Sequence, residues 1–303
     1  MASFGEYAGL LAAACWATGS LIYSRIDAPA AAINLAKNCV AGVLLTVTIP
    51  ILGSGLAVWS DAPASAYIWL LLSAVIGIQL GDAVYFRSIQ ILGPRRALVL
   101  TTMTPPISAL IGWFWLAEAL DQEHLVAMAL TLAGIIFVVR DRSLASDRSG
   151  LHQGSTRDGI LLGLLAAACQ ATGLAMSKVA MDDLPALESS AMRIVGGFIG
   201  GLIVASMTGS LGRWKKQLLA DGVPLRVFVA SFIGTYIGIW LSLISALAVP
   251  LAIATTQQSM TPVFMVILVA IFLRKSISLA AVLGMVAAIA GVALLMQPEI
   301  LFG

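Results

Sequence analysis

The chain has 303 residues, of which 60% are hydrophobic and only 11% charged, against about 25% charged in an ordinary soluble domain. So few charges cannot cover a water-facing surface, which excludes a soluble globular domain and points to an integral membrane protein. The formal net charge of +2 excludes little, because in a membrane protein the placement of charge matters more than its sum.

The first predicted element is a helix over Glu6–Ile26. Inside it, Gly9–Gly19 reads G-L-L-A-A-A-C-W-A-T-G. Leu11–Cys15 has the look of a cleavage site, but no Lys or Arg precedes it, so a retained membrane helix is expected. Span two follows Pro29 and reaches Ile51, with Asn34, Lys37 and Asn38 inside it. Span three covers Ser65–Phe86 and is closed by Arg87. Span four covers Ala97–Ala117 and is interrupted by Thr104-Pro105-Pro106. Span five covers His124–Val139. Arg140–Asp158 is the one long charged stretch and reads as a linker.

The stretch at Gly9–Gly19 then returns almost unchanged. Gly163–Gly173 reads G-L-L-A-A-A-C-Q-A-T-G, with Gln170 in place of Trp16 as the sole difference. The chain is therefore read as a duplication: residues 1–140, a linker over 141–157, and residues 158–303. The second copy gives spans over Gly159–Val179, Ala186–Thr208, Leu225–Ala248, Leu251–Leu273 and Ile277–Met296. Pro29 matches Pro185, Lys37 matches Arg193, and Thr104-Pro105 matches Thr261-Pro262. Gly77-Ile78-Gln79 is set against Gly238-Ile239-Trp240, which puts the counterpart of Asp82 near Leu243. Lipid offers no partners to backbone N–H and C=O groups, and the segments are too long and uniformly apolar for barrel strands. The expected fold is all-α, with ten transmembrane helices as two five-helix repeats.

Five helices per copy force the second copy to enter the membrane from the opposite side. In the first copy Arg25, Arg87, Arg95, Arg96, Arg140 and Arg142 follow helices one, three and five, and the connections after helices two and four have no Lys or Arg. In the second copy Arg213, Lys215, Lys216, Arg274 and Lys275 follow helices seven and nine, and only Lys178 breaks the alternation. Opposite charge bias in homologous loops is what inverted repeats require. It predicts a multi-pass protein of the cell (inner) membrane with the basic loops inside and both termini outside.

The five-plus-five order, the A-x-x-W-A-T run at Ala13–Thr18 and the T-P-P-I-S-A-L-I-G-W-F-W-L-A-E run at Thr104–Glu118 resemble the drug/metabolite transporter superfamily, in its ten-helix EamA-type branch. Thr261–Lys275 is the second copy of that run and departs from it by ending on Arg274-Lys275 in place of an acidic residue. The resemblance implies secondary transport of a small metabolite, amino-acid-like or related, with export as the expected direction. Several members are described with both termini cytoplasmic, and the charge placement here predicts the reverse.

Charges and polar groups inside spans are the site candidates, because burying them in lipid is costly. Lys37 lies eight residues beyond Pro29, roughly 12 Å into the bilayer, a depth at which it either lines a polar cavity or snorkels to the interface. Arg193 stands at the same depth from the other side. Asp82 either pairs with Lys37 or caps the interface beside Arg87, and if a proton is coupled to transport it is the first candidate to carry it. Gln79 and Phe86 share its face at helical spacing. Trp16, Gln170, Asn34, Asn38, Trp240, Gln257 and Gln258 complete the substrate-binding or gating candidates. Pro105 and Pro262 are expected to kink their helices. Gly196, Gly197, Gly200 and Gly201 suit close helix contact, within the chain or at a dimer face.

No catalytic motif, P-loop or metal-ligand spacing is present. A non-enzyme without cofactor or metal is expected, acting on a small-molecule substrate in the bilayer, without nucleic acid, as a monomer or homodimer. The alternatives are a lipid-modifying membrane enzyme and a non-transporting helical scaffold.

Overall fold

The computed structural model describes residues 4–55, 57–140, 155–274 and 277–296. The predicted linker, apart from its last residues, and the basic residues Arg142 and Lys275 lie outside the described residues. The described elements are helices, with no strand among them.

Helix α1 (Phe4–Tyr23) opens the chain. It is followed by α2 (Ala30–Leu52), α3 (Ala64–Leu92), α4 (Arg96–Trp115), α5 (Gln122–Arg140), α6 (Thr156–Ala180), α7 (Ala186–Met207), α8 (Val223–Ala248), α9 (Leu251–Phe272) and α10 (Leu279–Met296). These nine, α2 to α10, are long and apolar enough to cross a membrane. The expected tenth span, α1, is a helix of 20 residues but falls outside that set. Glu6 and many small residues dilute its apolar content, and its Ala8, Gly9, Ala12, Ala13, Ala17 and Gly19 are buried by neighbouring helices. The outside of the bundle is apolar: Phe114 is 77%, Met207 83% and Leu279 74% exposed. Such surface suits lipid and not water.

The glycine that ends each copy of the duplicated stretch sits at a tight helix crossing. Each repeat's first helix lies against the third helix of the other repeat, α1 on α8 and α6 on α3. At both crossings glycine faces glycine. A Cβ on Gly19 would meet the Gly234 Cα at 2.8 Å, and a Cβ on Gly173 would meet the Gly77 Cα at 2.6 Å. Backbones this close leave no room for a side chain. Gly173→Ala should therefore lower the melting temperature of the purified protein, by the ~1–3 kcal/mol typical of overpacking. An unchanged melting temperature would show that this crossing can relax.

The same contacts reset the alignment of the third helices. Gly77 pairs with Gly234 in position, and Gly81 with Gly238. The counterpart of Asp82 is thus Ile239 and not Leu243, and that of Gln79 is Tyr236 and not Trp240. Both third helices carry a seven-residue π-helical segment, Ala74–Leu80 in α3 and Ser231–Ile237 in α8. Such segments rotate everything beyond them and recur at functional sites. Arg87, expected to close the third span, instead lies inside a helix that continues to Leu92.

Both fourth helices break just before their Thr-Pro pair. α4 turns at Thr102-Met103 and α9 at Ser259-Met260, with the proline in the first turn of the segment that follows. The proline ring lacks an N–H and crowds the preceding turn, so the ladder restarts there. Helices α5 and α10 pack on each other. Gly196, Gly197, Gly200 and Gly201 of α7 face Ala74, Ile78 and Gln79 of α3, which gives them the internal packing role.

Candidate functional site

A cavity of about 820 Å³ occupies the middle of the bundle. Helices α1 to α4 and α6 to α9 line it, so both repeats contribute, while α5 and α10 stand outside. Tyr23, Ser24, Ala30, Ile89 and Leu98 are among its lining residues, so it extends to the end of the bundle that carries the α1–α2 and α3–α4 connections.

The opposite end is tied together by an ion pair. Lys178 Nζ of α6 lies 2.6 Å from Glu118 Oε1, just beyond α4, and donates to the Val249 carbonyl at 2.7 Å. Glu118 Oε2 accepts the Leu251 N–H at 2.7 Å. One ion pair thereby clamps both sides of the short α8–α9 turn. Beside it, the fully buried Glu188 accepts the Ser54 N–H at 2.9 Å through Oε1. Lys178, which broke the loop-charge alternation, is therefore a paired internal residue.

Among the described residues, three charged ones line the cavity. Lys37 Nζ of α2 stands 3.7 Å from Asp82 Oδ2 of α3, with side chains 27% and 19% exposed. Asn34, one turn before Lys37, lines the same wall. Arg193 of α7 is 4% exposed and makes no ion pair among the described residues. Its Nε has no hydrogen-bond partner. Asn38, 1% exposed, leaves both amide atoms unpartnered.

Trp16 and Gln170, the sole difference in the duplicated stretch, hold equivalent places on the cavity wall. Trp16 lies against Gly238 and Gln170 against Gly81, and Gln170 Nε2 donates to the Gly77 carbonyl at 3.1 Å. Gln258 and Pro262 also line the cavity, and Gln258 Nε2 donates to the Ser242 carbonyl at 3.3 Å.

Four candidates stand elsewhere. Gln79 donates to the Gly197 carbonyl of α7, because the π segment carries it off the face of Asp82. Trp240 packs with apolar residues and against the ring of Tyr236. Gln257 is fully buried and ties α9 to α1, donating to the Glu6 carbonyl at 2.7 Å and accepting from Ser245 at 3.2 Å. Pro105 is buried beside the cavity and is not part of its wall. Sequence reading missed Glu188 and the Glu118–Lys178 clamp, because charges near span ends read as interface residues.

The family model for EamA-like transporters matches residues 3–140 and, a second time, residues 157–297. No curated protein matches the chain. A solved structure described as "Crystal structure of protein" aligns over 100% of both chains with a TM-score of 0.79 at 15% identity, a likeness of fold.

Proposed function

The chain belongs to the EamA-like transporter family, and from that premise we propose that it is a secondary carrier of a small amphipathic metabolite, amino-acid-like or a related acid, in the cell (inner) membrane. In this reading α1 crosses the membrane as the tenth span, and the five-helix units over 1–140 and 158–303 are inverted repeats. They rock about the shared cavity in alternating access. Lys37, Asp82, Arg193, Trp16 and Gln170 are its solute-binding and gating residues. The observation that carries this is a cavity with Lys37, Asp82 and Arg193 on its wall, built by both repeats, that reaches one end of the bundle while a salt bridge ties helices together at the other. The end it reaches holds the basic loops, so the positive-inside rule makes it cytoplasmic. A solute loaded there and released outside is exported.

Purified protein in liposomes tests the reading with a screen of amino acids and related acids. Flux of an unaltered solute is expected. Radiolabelled product without flux would identify a membrane enzyme, and neither would leave a scaffold.

A further inference from the structure

We infer that the cavity takes an amphipathic monoanion, held through its carboxylate by Arg193 with Asn38, and that no ammonium group is required of the ligand. The inference rests on the carrier reading and names its substrate class.

Charge balance is the first ground. Among the described residues the cavity wall carries two cations, Lys37 and Arg193, and one carboxylate, Asp82. Asp82 is paired with Lys37 at 3.7 Å, and Arg193, within electrostatic reach of that carboxylate, makes no ion pair with it. One positive charge therefore remains, and it sits on the more deeply buried side chain. A guanidinium without an ion-pair partner at membrane depth is costly unless something neutralises it. A planar carboxylate matches its donor fork, and low dielectric strengthens the contact. A dianion would exceed the single excess charge.

Unfilled hydrogen bonds are the second ground. Arg193 Nε and both amide atoms of Asn38 are buried without partners. Buried polar atoms in native proteins normally have one. Asn38 Nδ2 lies 3.5 Å from where a Cβ on Gly197 would stand, and Gly197 is one helical turn beyond Arg193 on α7. Arg193 Nη2 lies 2.9 Å from where a Cβ on Gly77 would stand, and the Gly197 position beside Asn38 also faces Ile78, so both side chains lie against the same stretch of α3, Asn38 from the first repeat and Arg193 from the second. An acid bridging them would join the two moving units.

The remaining wall sets the ligand's body. Trp16, Tyr85, Phe86 and Leu174 present aromatic and apolar surface. A ligand ammonium would find no unpaired carboxylate among the described wall residues, and it would face the excess positive charge. Like charges set together disfavour binding.

The test is a charge series on one aromatic body: hydrocinnamate as the anion, phenylalanine as the zwitterion and phenethylamine as the cation. Thermal unfolding of the full-length protein in detergent reads the binding, since a ligand of the folded state raises the melting temperature. Hydrocinnamate should stabilise most, with phenylalanine at least about tenfold weaker in apparent affinity and phenethylamine without effect. Arg193→Gln should lose the response to hydrocinnamate, and Arg193→Lys should keep part of it. Removing an unpaired buried charge should not lower the melting temperature of the unliganded variant, so a lost response would not reflect misfolding. Phenylalanine stabilising as well as hydrocinnamate would overturn the inference. So would a hydrocinnamate response that survives Arg193→Gln, or no response to any of the three. Solute flux without this charge preference sinks the inference alone, whereas absence of flux for every solute sinks the carrier reading itself.

Discussion

Lys37→Ala should reduce solute flux at least about tenfold while leaving the protein folded, with Arg193→Ala doing the same. The three charges explain why. With Lys37 gone, Arg193 and Asp82 remain as one cation and one anion in the same cavity. They can satisfy each other, which preserves folding and removes the excess charge that attracts the solute. Asp82→Ala is different, since it leaves two cations in one low-dielectric space. It should be the most destabilising of the three single changes, on the order of 2 kcal/mol for a half-buried pair. The double change Lys37→Ala/Asp82→Ala should recover stability relative to Asp82→Ala and still transport poorly. Melting temperatures and flux in one set of liposomes separate these effects. Wild-type flux in both Lys37→Ala and Arg193→Ala would show that the two side chains do not serve the solute path.

The second large effect is expected at the closed end. Glu118→Gln should loosen the clamp on the α8–α9 turn and raise the population opened toward that side about tenfold or more. The clamp consists of the 2.6 Å ion pair and its two 2.7 Å bonds to backbone. Charge-assisted bonds to otherwise unpaired backbone groups are worth about 1.5–3 kcal/mol each. The equivalent end of the other half cannot build this clamp. Ser24 stands where Lys178 would be, and the sequence has Lys275 where Glu118 would be. In the proposed carrier the arrangement open at the basic-loop end is therefore the one expected at rest. Reversing the pair, Glu118→Lys with Lys178→Glu, should not restore closure, because lysine cannot accept the Leu251 N–H and glutamate cannot donate to the Val249 carbonyl. Rescue by the reversed pair would mean that charge alone holds this end.

Much of the architecture was legible because it rests on patterns that membranes enforce. The repeated stretch at Gly9–Gly19 and Gly163–Gly173 is visible because both copies meet a glycine of the opposite repeat. Lys37, Asp82 and Arg193 stand out because charge inside an apolar run is rare. The Thr-Pro breaks are visible because proline acts through its own backbone. What escaped depends on neighbours that a linear reading cannot see. The π segment Ala74–Leu80 has no composition signal, yet Gln79 within it reaches α7, and the third-helix alignment is set by glycine crossings that only the packed structure shows. Glu118 and Lys178 lie far apart in sequence at span ends, where each alone reads as an interface residue. Glu188, in the first turn of α7, looks like an edge residue and is fully buried against the α2–α3 connection.

Two-sided access to the cavity tests the central claim most directly. Cys15, Cys39 and Cys169 are free thiols and are first replaced by alanine, after which Ser259→Cys places one thiol on the cavity wall at the break in α9. An impermeant thiol reagent should label it from the basic-loop side at rest. It should also label from the opposite side once solute drives turnover or once Glu118→Gln loosens the clamp. Labelling from one side only, whatever the solute and with or without Glu118→Gln, would contradict alternating access.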